Sequence, residues 1–169
     1  MHVSDDVRRF VQHFREEPRA LDSAGQEQLS DADFHLALCR AVLAARSPLD
    51  HRLAIEVFRE EMRVRRVDPR RSGDRLVLSA LVLAQFRDVS DVLLLWEAKR
   101  LDFDMGCYFD AQLLVFSGVE ITLSFLYVQP GAAARAAAEY VEACRIDGTF
   151  AELDRYWRDK MRYFGLPQE

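Results

Sequence analysis

Apolar residues recur along most of this chain at the three-and-four spacing that keeps one face of a helix buried. Val7, Phe10, Val11 and Phe14 follow Ser4 at that spacing, predicting an amphipathic first helix that Ser4 caps and Pro18 ends. Residues 18–29 are polar and mixed, and read as a linker with at most one short turn. Ser30 is expected to cap a second helix reaching Ala45, with Asp31 and Asp33 at its electropositive end. Only Asp33, Arg40 and Ala44 share a face of that helix open to water, so the rest of it should be buried.

Ser47-Pro48 marks a second start, a capping hydroxyl followed by proline in the first turn. The helix it opens should run to about Val67 and bury Leu49, Leu53, Val57, Phe58 and Met62. Residues 68–73 form a turn, and a nearly all-apolar helix follows from Asp74 to Phe86. Ser90 should cap the next helix, which carries Trp96 and ends near Leu101. Asp104 is expected to open a long helix from Met105 to Tyr127, with a break or kink at Gly118. Gln129-Pro130-Gly131 stops it. Two last helices are expected, about Ala132–Arg145 and the aromatic segment Thr149–Tyr163, closed by Gly165-Leu166-Pro167. No stretch alternates cleanly enough to predict a strand.

These elements predict an all-α fold of stacked antiparallel helical hairpins, either an α–α superhelix or a compact helical bundle. Length suits one domain over residues 1–169, divided into an N-terminal helix and linker (1–29) and hairpins (30–165). The hairpins are expected at 31–66, 73–101, 105–128 and 131–164. That spacing resembles the tetratricopeptide-like and related α–α superhelical repeats. The likeness lies in hairpin length alone, because the tetratricopeptide signature order of Trp, Leu, Gly and Tyr is not reproduced. It implies a stacked-hairpin fold and a binding role, and no binding residue is carried over.

Hydrophobic residues make up 50% of the chain and charged residues 30%, which supplies both a core and a solvated surface. The seven glycines and five prolines are few for an all-β protein of this size. A net charge of −5 argues against non-specific nucleic-acid binding by the whole molecule. Residues 101–134 hold no Lys or Arg, whereas seven Arg and four acids stand between Arg59 and Arg75. The first ten residues carry charge and no apolar run, so no secretion signal is expected. Asp110 and Glu120 interrupt the most apolar stretch, which excludes a membrane span there. Cys39, Cys107 and Cys144 are odd in number and widely spaced, and read as reduced thiols.

No phosphate-binding loop, dinucleotide fingerprint, nucleophile elbow or zinc-protease helix occurs. Asp102-Phe103-Asp104-Met105-Gly106 begins like a calcium loop, but Gly is one position early and Leu113 stands where Glu is needed. His35 and Cys39 share a helix face that is otherwise apolar, and read as a core pair instead of half a zinc site. His2, His13 and His51 read as surface residues, and Glu16-Glu17 and Glu60-Glu61 as carboxylates on solvated faces.

Two candidate binding surfaces remain. Arg59, Arg63 and Arg66, with Arg70, form an arginine stripe suited to an acidic protein, although interleaved acids favour an ordinary solvated face. On a continuous helix, Asp110, Ser117, Glu120 and Ser124, with Gly106, would form a narrow polar strip. Such a strip could line a groove.

These features point to a non-enzymatic protein–protein interaction module, an adaptor, scaffold or regulator of a bacterial-type cytosol. It calls for a protein partner, no metal, no cofactor and no membrane, and leaves homo-oligomerisation open. The alternatives are a small acidic toxin-neutralising protein, or an enzyme using Asp110 or Glu120 as acid or base near Trp96.

Overall fold

Every regular element is helical in the computed structural model, which describes residues 4–18 and 20–166. The elements are α1 (Asp5–Glu16), α2 (Ser23–Ser30), α3 (Ala32–Ala45), α4 (His51–Val67), α5 (Asp74–Ala84), α6 (Val92–Lys99), α7 (Phe103–Tyr108), α8 (Val119–Val128), α9 (Ala132–Ile146) and α10 (Leu153–Tyr163). Short 3-10 turns stand at Pro48–Asp50, Val89–Asp91 and Ala111–Val115. The all-α class expected from the sequence is the class observed. His2 and Pro167 lie outside the described residues.

Capping side chains decide where several helices begin. Ser4 accepts from Val7 N as expected. The 18–29 stretch, however, contains α2, because Asp22 accepts from Gly25 N at 2.9 Å and Leu29 is buried. Two buried positions hold this helix, too few to show as a periodic stripe. Asp31 caps α3, at 2.7 Å from Phe34 N, while Ser30 donates its hydroxyl to Glu27 O. Likewise Asp88, not Ser90, caps the turn before α6, and Asp102, not Asp104, caps α7. The preference for carboxylate caps over a neighbouring residue is one of register, which tertiary packing sets.

Two 3-10 turns end in a buried aspartate, and these aspartates lock the helix joints together. Asp50, fully buried, accepts from Arg15 Nε and Nη2, both at 2.7 Å, tying α1 to the start of α4. The adjacent His51 places Nε2 2.7 Å from Asp91 Oδ2, tying α4 to the start of α6. His51 also packs on the Phe86 ring, so it is a half-buried joint and not the surface residue expected.

The helices pair out of phase with the expected hairpins. α4 packs against α5 and α8 against α9, while α3 rests on α1, α2 and α5, and α6 on α9. The reason is α5, which is buried continuously from Leu76 to Ala84 and therefore needs neighbours on every side. Buried residues from Val7 to Leu166 form one connected core.

Charged groups enter that core only with partners. Glu60 and Glu61 are both buried, contrary to the solvated reading. Glu60 holds Arg63 at 2.6 Å, and Glu61 holds Arg75 at 2.7 Å. Arg75 also donates to the Leu29 and Ser30 carbonyls, closing the end of α2. His35 and Cys39 sit in the core as read, with His35 Nε2 2.9 Å from Ser79 Oγ. Burial, reinforced by Arg75 and Arg71, holds the His35 pKa down to about 3, so its ring is neutral at pH 7.

Candidate ligand-binding cleft

The polar strip expected on one helix does not form, because residues 105–127 are three separate elements. α7 ends at Tyr108, the 3-10 turn occupies Ala111–Val115, and α8 begins only after Gly118 at φ 104°. Phe109, Leu113 and Leu114 are all fully buried. Lys99 reaches from α6 to donate to the Gly106 and Phe109 carbonyls at 2.9 and 2.7 Å, satisfying the end of α7.

The strip residues are thereby dispersed. Asp110 is a half-buried anchor: it accepts from Tyr156 Oη at 2.9 Å and pairs with Lys160 Nζ at 2.7 Å, both on α10. Ser117 donates to the Arg87 carbonyl at 3.0 Å. Glu120 and Ser124 are exposed on α8. Asp110 thus faces a basic neighbour distant in sequence, not open water.

The arginine stripe is neutralised. Arg59 pairs with Glu56 at 3.0 Å, Arg63 with Glu60, and Arg66 with Glu97. These pairs, half exposed on the cationic side, are ordinary helix-surface ion pairs worth little individually.

The hollow with the clearest binding character lies elsewhere, where the ends of α3 and α5 meet α10. It is an open cleft of about 450 Å³, within the range of ligand pockets. Its floor is apolar, from Val42, Leu43, Ala84, Phe86, Phe116 and Met161, with Trp157 on α10. Its rim carries Arg46, Arg87 and Arg158, with Gln85, against one acid, Asp154.

Each wall is built locally. Arg46 follows α3 with φ 46°, its N–H bonded to the Val42 carbonyl, and Arg87 follows α5 with φ 53°, its N–H bonded to the Ala84 carbonyl. Among the described residues these are the only non-glycine residues in the left-handed region. Helices commonly end in that conformation, but glycine is the usual occupant, and a residue with Cβ costs about 1 kcal/mol there. Ser117 fixes the Arg87 carbonyl, and Asp110 fixes α10 through Tyr156 and Lys160. Two residues of the abandoned strip therefore shape the cleft from behind. Burial beside Asp110 raises the Tyr156 pKa, so its phenol stays a donor.

The Arg87 and Arg158 side chains are exposed and have no hydrogen-bond or ion-pair partner among the described residues. Arg40, on α3 and against Gly165, leaves its Nε buried without a partner. Sequence reading missed Arg46, Arg87, Arg158 and Trp157 because they come from three separate segments. The one local signal is an arginine where a helix end would normally place glycine.

Catalytic geometry is not found at the buried polar cluster. Glu61 lies 3.9 Å from His35 Nε2, the same nitrogen that meets Ser79, so no proton relay across the ring exists. No group of three His, Cys, Asp or Glu among the described residues could hold a metal ion, and none of their helices is long and apolar enough to cross a membrane. No protein family, curated protein or solved structure matches the chain.

Proposed function

We propose that this protein is a non-catalytic interaction module, an adaptor or regulator that engages a partner protein through the α3–α5–α10 cleft. One observation carries the reading: in a chain with net charge −5, two unpaired arginines border the same apolar hollow. Elsewhere on the surface, Arg145 and Arg162 pair with an acid one helical turn away, while the exposed Arg135 has no side-chain partner among the described residues and borders no such hollow. Guanidiniums without an ion pair beside apolar surface are groups that a ligand can satisfy.

The two left-handed arginines support the same reading. Backbone strain held at a surface hollow is a mark of sites selected for something other than stability. An open cleft with a flat apolar floor also suits a protein surface better than an enclosed reaction chamber.

The test is affinity purification from the source cells with the wild-type chain and with a variant carrying Arg87→Gly and Arg158→Ser. A partner recovered by the first and lost by the second, with equal helicity in both, supports the reading. Equal recovery by both chains places binding on another surface and overturns it.

A further inference from the structure

We infer that the cleft's occupant is an acidic amphipathic helix of a partner protein, one that seats an apolar side chain on the floor and sets carboxylates against Arg87 and Arg158. This rests on the binding reading above and adds the partner's chemistry. Three features of the cleft select it.

The first is charge complementarity. The Arg87 and Arg158 guanidiniums against one carboxylate, Asp154, leave that part of the rim cationic on a molecule that is acidic as a whole. Ionic screening at physiological salt confines charge effects to about 8 Å, so a docked segment reads the rim and not the net charge. A long polyanion, by contrast, extends past the rim along a chain whose acids outnumber its bases by 28 to 23. Short segments bearing a few carboxylates fit this pattern better than nucleic acid does.

The second is the floor. Val42, Leu43, Ala84 and Met161 are aliphatic or small, and they alternate with Phe86, Phe116 and Trp157. Such a floor accepts branched or aromatic side chains, where a base-stacking platform would be built from exposed aromatic rings alone. At about 450 Å³ the hollow holds an anchor of a few side chains, not a folded domain.

The third is the fork geometry of arginine, which pairs with carboxylates through two parallel bonds. Arg158 on α10 and Arg87 at the end of α5 stand on different walls of the cleft. A helix lying between them can present carboxylates three or four positions apart on either side of its apolar stripe.

Fluorescence anisotropy with labelled synthetic peptides tests this. The probes are a short helix-forming peptide with Leu and Phe anchors flanked by Glu, the same peptide with every Glu replaced by Gln, one with every Glu replaced by Lys, and a single-stranded oligonucleotide. The Glu peptide should bind at least tenfold more tightly than the Gln peptide, and the Lys peptide should bind least. Raising ionic strength from about 0.05 to about 0.5 M should remove most of that difference. Arg87→Gly and Arg158→Ser should each weaken the Glu peptide several-fold and leave the Gln peptide unchanged.

Other results overturn the inference in distinguishable ways. Equal binding of the Glu and Gln peptides refutes the acidic partner while the cleft remains a binding surface. Tighter binding of the oligonucleotide, lost on the same substitutions, replaces the peptide with a nucleic acid. Absence of binding by every probe refutes both the inference and the cleft reading beneath it.

Discussion

Asp110 Oδ2 stands 2.7 Å from Lys160 Nζ, joining the loop after α7 to the last helix of the described chain. The same oxygen accepts from Tyr156 Oη at 2.9 Å. α10 buries only Met161 of its own residues, so this carboxylate is a main tie between α10 and the core. Asp110→Asn should cost about 1–2 kcal/mol, lowering Tm by roughly 2–8 °C for a chain of this size. Limited proteolysis should then cleave first within residues 147–166. A Tm unchanged within a degree would show that α10 is held by its apolar face alone.

Arg87, held at φ 53°, makes stability and binding separable. Glycine adopts the left-handed region without the Cβ clash that arginine suffers. Arg87→Gly should therefore leave stability unchanged or raise it by up to about 1 kcal/mol, while weakening any anionic ligand of the cleft. Urea denaturation measures the first effect. Clear destabilisation by this change would mean that the guanidinium serves the fold.

His35 should make the protein acid-sensitive. Its pKa is depressed to about 3 in the folded chain, first by burial and then by Arg75 and Arg71. The unfolded chain takes up a proton near pH 6.5, so folding stability attributable to a neutral His35 is complete above that pH. It is lost progressively as pH falls from about 6.5 to about 3, at up to about 1.4 kcal/mol per pH unit. Glu61, whose pKa burial raises, titrates in the opposite sense, so the comparison must be with a variant. Urea denaturation of wild type and His35→Gln between pH 7 and pH 4.5 should show a shallower slope in the variant. Parallel slopes would contradict a buried, neutral ring.

Asp102 and Asp104 should differ sharply. Asp102 caps α7 at Met105 N and holds Arg65, a buried guanidinium, through two bonds at 2.8 and 3.1 Å. Asp104 is mostly exposed and meets the same arginine at only 3.5 Å. Asp102→Ala should cost about 2–4 kcal/mol, combining a lost cap with a stranded buried charge. Asp104→Ala should stay within about 0.5 kcal/mol. Equal losses in thermal denaturation would restore Asp104 as the cap that sequence spacing suggests.

The helical class and most helix positions were decided by local sequence. Ser4, the Ser47-Pro48 start and the Gln129-Pro130-Gly131 stop act within one helical turn of themselves, so their effect can be read without the rest of the chain. The core placement of His35 and Cys39 followed from the apolar arc around them, which is equally local. The interruption of residues 105–127 was not local. It depends on Lys99, which caps carbonyls seven and ten positions further on. The pairing of α4 with α5, and the choice of Asp31 over Ser30 as a cap, belong to the same class of decision. So does the cleft, whose arginines come from residues 46, 87 and 158. Sequence periodicity specifies which face of each helix is apolar, but packing among many such faces decides which helix ends converge. Only tertiary structure could therefore bring three arginines around one apolar hollow.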